Sequence, residues 1–122
     1  MEIGNEDTFD HSGSYEGRYA QFYKAIKTRY PQLQLIATMP LKQMKPDVVD
    51  DHYYHRSDDL FDLVKHYDGV DRNGPKIFVG EWATREGGPT TNFGAAFGDA
   101  AWMTSLERNS DLIVMASYAP LS

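Results

Sequence analysis

The sequence predicts an α/β fold in which a parallel sheet is covered by helices. Two observations carry this. Strand-length apolar runs alternate with helix-length amphipathic stretches, the pattern of sheets crossed by helices. The strand centres are also apolar throughout rather than alternating, as in strands buried on both faces. "MEIGNED" opens on a strand end. "YEGRYAQFYKAIKTRYP" follows as a helix, with Tyr15, Tyr19, Phe22, Tyr23 and Ile26 on one face, Ser14 as its cap and Pro31 as its stop. "LQLIATM", 33 to 39, and "DVVDDHYY", 47 to 54, read as strands. "SDDLFDLVKHYD" reads as a helix capped by Ser57, with Leu60, Phe61, Val64 and Tyr67 inward. "RNGP" turns the chain into the strand "KIFVGEWA", 76 to 83. The loose segment "REGGPTTN", 85 to 92, leads to a helix through "NFGAAFGDAAWMTSLERNS", where Phe93, Phe97, Ala100, Ala101 and Thr104 keep helical spacing. "DLIVMASYA", 111 to 119, is the last strand.

Composition bounds the function. The 122 residues are 41% hydrophobic and 25% charged, enough for one small domain with a core. A net charge of −6 opposes a phosphate-binding surface, so nucleic acid is not an expected partner. No cysteine is present, which excludes disulfides and thiolate metal sites. No apolar run approaches the roughly 20 residues of a membrane span, and no basic-then-apolar signal pattern opens the chain. Localisation is left open, with a secreted or extracytoplasmic parent as one reading. A strand end at residue 1 has no run-up, so Met1 is expected to lie inside a strand.

Each strand turns polar at its C-terminal end: Asn5 and Glu6, Thr38, Asp51 to Tyr54, Glu81 and Trp82, Ser117 and Tyr118. In barrels and open α/β sheets alike, ligands bind at that edge. Glu6 and Glu81 both end apolar runs, in "IGNE" and "FVGE", each with a glycine within two residues before the acid. Two acids at the mouths of two strands of one sheet can face each other across a cleft, which is what glycoside hydrolysis needs. Asn5 could bond a sugar hydroxyl, and Tyr54 or Trp82 could hold a carboxylate or face a sugar ring. A lone strand-end Glu is more often a solvated charge; two, with aromatics beside them, bring chemistry level with that plainer reading.

"DDHYYH" invites a metal reading, but strand alternation sends 50, 52 and 54 to one face and 51, 53 and 55 to the other. A His52 and Tyr54 hydrogen-bonding pair beside an acid fits better. His11 and His66 carry no signal, and Asp58, Asp59 and Glu107 read as helix-face charges. "EGG" lacks the lysine and hydroxyl of a phosphate loop. Ser14 and Ser117 have no histidine arranged with them. No metal or organic cofactor is required.

"EIGNED", "SYEGRYAQFYKAIKTRYPQLQLIAT", "DDHYY", "GPKIFVGEWA" and "AAWMTSLERNSDLIVMASYAPL" together resemble the catalytic domain of glycoside hydrolase family 51 α-L-arabinofuranosidases over essentially the whole chain. The resemblance implies a partial (β/α)8 TIM barrel of the clan A type, with residues 1–122 a segment of one catalytic domain supplying strands four to eight and helices four to seven. It implies Glu6 as acid/base, Glu81 as nucleophile, Asn5 on the hydroxyl next to the anomeric carbon, Tyr54 on the nucleophile and His52 in the sugar site. Retention requires the two carboxyls about 5–5.5 Å apart, with Glu6 protonated and Glu81 ionised. The substrate would be an arabinose-containing oligo- or polysaccharide. An open five-stranded sheet would expose two apolar edges, so poor stability or a homo-oligomer is expected. Another retaining glycosidase of the clan, such as a xylosidase or endoglucanase, and a catalytically silent carbohydrate-binding half barrel are the competing readings.

Overall fold

The structure is a computed structural model and describes residues 1–88 and 92–119. Pro89, Thr90 and Thr91 of the loose segment, and the Pro120–Ser122 end of the family resemblance, lie outside the described residues. Five strands form one parallel sheet: β1 (Glu2–Ile3), β2 (Ile36–Ala37), β3 (Val48–His55), β4 (Lys76–Thr84) and β5 (Ile113–Tyr118). Their spatial order is their sequence order, β1-β2-β3-β4-β5. A doubly wound sheet reverses its order at a switch point; uninterrupted order is that of a barrel wall. The helices are α1 (Tyr15–Arg29), α2 (Ser57–Asp62) and α3 (Phe93–Arg108).

Tyrosines anchor α1 to the sheet. Tyr15 and Tyr19 are buried with Leu35 and Ala37, and Ile3, Tyr23, Ile26 and Met39 pack against them. A buried tyrosine needs a partner for its hydroxyl, and both find one on the strands. Tyr15 donates to the Ile3 carbonyl at 2.7 Å and accepts from the Thr38 N–H at 2.9 Å. Tyr19 donates to the Leu35 carbonyl at 3.2 Å. These bonds fix the ends of β1 and β2, where the first acid leaves the sheet. Phe22, expected on this face, stands at its rim and is 55% exposed.

A second core joins β4 and β5 to α2 and α3 through Leu60, Tyr67, Ile77, Val79, Trp82, Trp102, Leu106, Leu112 and Ile113. Here the helix faces differ from expectation. α3 buries Ala95, Gly98, Trp102, Ser105 and Leu106, the face opposite to that of Phe93 and Phe97, which are 78% and 53% exposed and stack on each other at 4.8 Å. Close approach decides this: a Cβ on Gly98 would lie 2.6 Å from Thr84 Oγ1 and 2.9 Å from Ser57 Cα, so α3 can seat only its small residues here. The helix expected over 57 to 68 is α only to Asp62 and continues as a 3₁₀ turn, Leu63–Lys65. Leu60 and Tyr67 are buried, and Phe61 is exposed. Ser57 caps nothing; it is the first helical residue, buried, with its hydroxyl on the Gly94 carbonyl at 2.7 Å. Ser14 precedes α1 without a side-chain cap bond.

The resemblance implied four helices, and one is missing from the described residues. β2 runs into β3 through 38–47 without a helix. A groove of about 650 Å3 opens there on the helix side, lined by Leu41, Met44, Val49, Val70 and Ile77 among others.

Candidate active site

The first acid sits on a strained turn. Glu6 follows β1 with φ 51° and ψ 35°, the left-handed region that a side chain rarely occupies. The turn is held by Asp7, whose Oδ2 accepts from the Asn5 N–H at 3.0 Å and from Thr38 Oγ1 at 2.9 Å. Gly4 makes room for it: its φ is +104°, and a Cβ there would lie 2.0 Å from Asp7 Oδ2. This explains why a glycine precedes the acid. The chain must leave the strand sharply, with Asp7 folded back beneath it, for Glu6 to project over the sheet.

The second acid is placed by a bulge. Asp50 pairs with Phe78, but His52 pairs with Glu81, so β4 carries one residue more than β3 across this step. Simple alternation from the buried Val79 would bury Glu81 and point Trp82 at the cleft. The extra residue inverts this, so Glu81 joins His52 and Trp82 rejoins the core. Gly80 occupies the bulge, where its N–H donates to Asp50 Oδ1 at 2.8 Å. A Cβ on Gly80 would lie 2.2 Å from that oxygen. Gly80→Ala is therefore expected to displace Asp50 and to cost about 1–3 kcal/mol of stability by overpacking. Denaturant unfolding and the His52 ring resonances check this together.

His52 lies at the centre. Its Nδ1 is 3.0 Å from Glu6 Oε1 and 3.8 Å from Glu81 Oε2, and its Nε2 is 2.7 Å from Asp50 Oδ2. Burial alone would lower the imidazole pKa; the hydrogen bond to Glu6 and the charges of Asp50 and Glu81 outweigh it and raise the value. Tyr54 donates its hydroxyl to Glu81 Oε2 at 2.8 Å. Desolvation, then that hydrogen bond and the Glu81 charge, push the phenol up to about 12, so it remains a donor. Carboxylate oxygens of Glu6 and Glu81 lie within 4.8 Å of each other. A retaining pair is separated by about 5–5.5 Å and an inverting pair by roughly 6.5–9.5 Å. The three residues also have the spacing of a cation site. However, Nδ1 and Glu6 Oε1 already meet at hydrogen-bond distance, and Tyr54 holds Glu81, so the set forms a proton network.

The structure thus brings together Glu6, His52, Tyr54 and Glu81, with exposed Asn5 on the same turn. Glu6, His52, Tyr54, Asp50, Thr38, Phe9 and their neighbours line a cleft of about 300 Å3. Trp82, expected to face the sugar, does not. It is 5% exposed, in the core beneath α2 and α3, with its ring against Tyr118 at 5.1 Å; the bulge turned it away. Three residues gain parts that sequence reading did not give them. Asp50 orients His52; it was visible only as sharing a face with it. Arg85 stacks its guanidinium 4.1 Å over the Tyr54 ring, within a segment read as mere loop. Glu2 enters the same interior face, and β1 is too short to show the alternation that would have marked it.

An unbroken parallel wall with two carboxylates close together at the C-terminal ends of its strands has the form of a glycoside hydrolase barrel. Residues 1–72 match the family model described as alpha-L-arabinofuranosidase 1 domain, and residues 80–122 match that of the alpha-L-arabinofuranosidase C-terminal domain. The chain belongs to the α-L-arabinofuranosidase family of the GH51 type. It is similar to alpha-L-arabinofuranosidase 2 of Arabidopsis thaliana, with 42% identity over 98% of this chain and 18% of the relative. The extracellular exo-alpha-L-arabinofuranosidase of Streptomyces chartreusis is 33% identical over 99% of this chain and 16% of the relative. Among solved structures it resembles an arabinose-bound MgGH51 α-L-arabinofuranosidase, with TM-score 0.86 and 37% identity over 98% of this chain and 22% of that one. The fold is accordingly a partial (β/α)8 barrel. The chain spans less than a quarter of the length of these relatives.

Proposed function

We propose that this chain is a segment of the catalytic domain of a retaining α-L-arabinofuranosidase, releasing non-reducing terminal α-L-arabinofuranosyl units from arabinan, arabinoxylan or smaller arabinosides. The observation that carries this reading is the approach of Glu6 and Glu81 to within 4.8 Å beside His52, on a chain whose relatives bear that enzyme name. In the first step a Glu81 oxygen bonds to the anomeric carbon, the glycosidic bond breaks, and Glu6 gives its proton to the departing oxygen. In the second, Glu6 takes a proton from water, the water oxygen bonds to the anomeric carbon, and Glu81 departs. Tyr54 occupies one Glu81 oxygen and leaves the other to attack. With Nε2–H on Asp50, His52 Nδ1 can share the Glu6 proton, and Asn5 binds the neighbouring sugar hydroxyl.

A single catalytic domain over 1–122 is supported by the pairing of β3 with β4 along their length, which joins residues matched by the first family model to residues matched by the second. A secreted parent is supported by the Streptomyces relative named extracellular. Association of this chain with itself is supported by the two outer strands, β1 and β5, and by the exposure of Val114 and Met115 on β5.

The test is turnover of 4-nitrophenyl α-L-arabinofuranoside, with the first product anomer read by proton NMR, for this chain and for a longer one continuing upstream into a full barrel. Release of the α-anomer first is expected, at least from the longer chain. An initial β-anomer would overturn the retaining mechanism, and absence of turnover from both would overturn the function.

A further inference from the structure

Arg85 leaves β4 beside the ring that holds the second acid. The pairing of β3 with β4 runs through Tyr54 with Ala83 and His55 with Thr84, and the Arg85 N–H extends it by one step, donating to the His55 carbonyl at 2.7 Å. The backbone is therefore fixed here, and the side chain sets its guanidinium carbon over the Tyr54 ring, 4.1 Å from the ring centre. An exposed arginine gives up rotamer freedom to be held in one place, so something must hold it. The neighbouring acid, Glu86, is engaged by Arg56 at 3.2 Å and by the Ser57 N–H at 3.1 Å. Among the described residues it is the ring face that meets the guanidinium, and the negative quadrupole of that face attracts a cation.

The ring in turn has little other support. Tyr54 packs in neither hydrophobic core; its hydroxyl donates to Glu81 Oε2 at 2.8 Å, and Arg85 lies over its face. A phenol tied only at its oxygen can swing about its Cα–Cβ bond and take the hydrogen bond with it. A cation seated on the face resists that swing. It also draws electron density from the ring, which makes the hydroxyl a stronger donor to a carboxylate. Desolvation first, then Glu81, raise the phenol, and the Arg85 charge opposes that rise.

We propose that Arg85 is a positioning residue: seated on the Tyr54 ring, it keeps the phenol hydroxyl on Glu81 Oε2, so that the other Glu81 oxygen stays free for the anomeric carbon. The proposal rests on the reading of Glu81 as the nucleophile. Arg85 acts through Tyr54 and needs no contact with the sugar. This separates it from a side chain that binds substrate, whose loss is felt whether or not the tyrosine hydroxyl is there.

The experiment is a double-mutant cycle in the longer chain that continues into a full barrel, crossing Arg85→Met with Tyr54→Phe on 4-nitrophenyl α-L-arabinofuranoside. Methionine keeps a long, flexible side chain and removes the charge. Arg85→Met alone should lower kcat about two- to fivefold, the scale of an exposed cation–π contact, and leave KM unchanged. In the Tyr54→Phe background the same change should lower it no further, because the hydroxyl that Arg85 served is gone. A loss of equal size in both backgrounds, or one confined to KM, would overturn the proposal and make Arg85 a substrate contact. The stack is also read without turnover. In this chain the Arg85 δ-protons should lie upfield in the ring current of Tyr54 and return to ordinary arginine shifts in Tyr54→Leu; ordinary shifts in the wild type would overturn the proposal as well. An active barrel indifferent to Arg85→Met removes this proposal alone. A barrel without turnover that keeps the upfield shift removes the arabinofuranosidase reading, and the role of Arg85 with it.

Discussion

Glu81→Ala, in a barrel-length chain, is expected to lower kcat on 4-nitrophenyl α-L-arabinofuranoside by about 10⁴-fold or more, the scale on which loss of a nucleophile is felt. Three features of the structure place the loss in kcat. Glu81 is held by Tyr54 rather than by the core, so its removal leaves no buried charge unpaired. Its backbone is fixed by β-pairing with His52, so the cleft keeps its shape. The strained turn that carries Glu6 is anchored elsewhere, on Asp7 and Thr38. Azide supplies the discriminating measurement. In the space vacated by the carboxylate, it should attack the anomeric carbon from the same side and yield the inverted, β-configured glycosyl azide. Retained activity in Glu81→Ala would sink the nucleophile assignment. Loss of activity with loss of folding, seen by circular dichroism, would instead make Glu81 structural.

The acids could be read from the sequence because each announces a backbone need. Gly4 and Gly80 stand where a Cβ would collide with the very carboxylates, Asp7 and Asp50, that brace the site. A glycine just before an acid at a strand end was therefore a physical signal. His52 and Tyr54 were legible from alternation on β3, which holds through the site. Trp82 was not, because the bulge sits on the other strand and a one-residue insertion has no signature of its own in "FVGEWA". Helical spacing groups Phe93, Phe97, Ala100, Ala101 and Thr104 on one face of α3 but does not say whether that face is the buried one. Phe93 and Phe97 are large, yet Ala95 and Gly98 face inward, since the approach of Ser57 and Thr84 leaves room only for small side chains. Glu2 was invisible for a third reason: a two-residue strand has no period, and only pairing to Ile36 sets which way it points.

Glu6→Ala should behave differently from Glu81→Ala, and the difference tests whether the two carboxylates are distinct in role. Loss of a general acid–base group costs typically 10²–10⁴-fold, but here the loss should depend on the leaving group. A nitrophenolate departs without help, so the first step survives in Glu6→Ala and the arabinosyl-enzyme forms. Its hydrolysis then waits for a water that no carboxylate activates. A burst of nitrophenolate followed by slow turnover is expected, with KM lowered because the intermediate accumulates. An alkyl arabinofuranoside, whose leaving oxygen needs the proton, should show no burst and the full loss. Azide should restore turnover of the aryl substrate and give the retained α-azide, the opposite anomer to that from Glu81→Ala. The structure adds one further expectation: without Glu6, His52 keeps Asp50 and faces Glu81 alone, so the imidazole should lose part of its raised pKa. Equal losses on aryl and alkyl substrates, with no burst and no azide rescue, would mean that Glu6 does not transfer the proton.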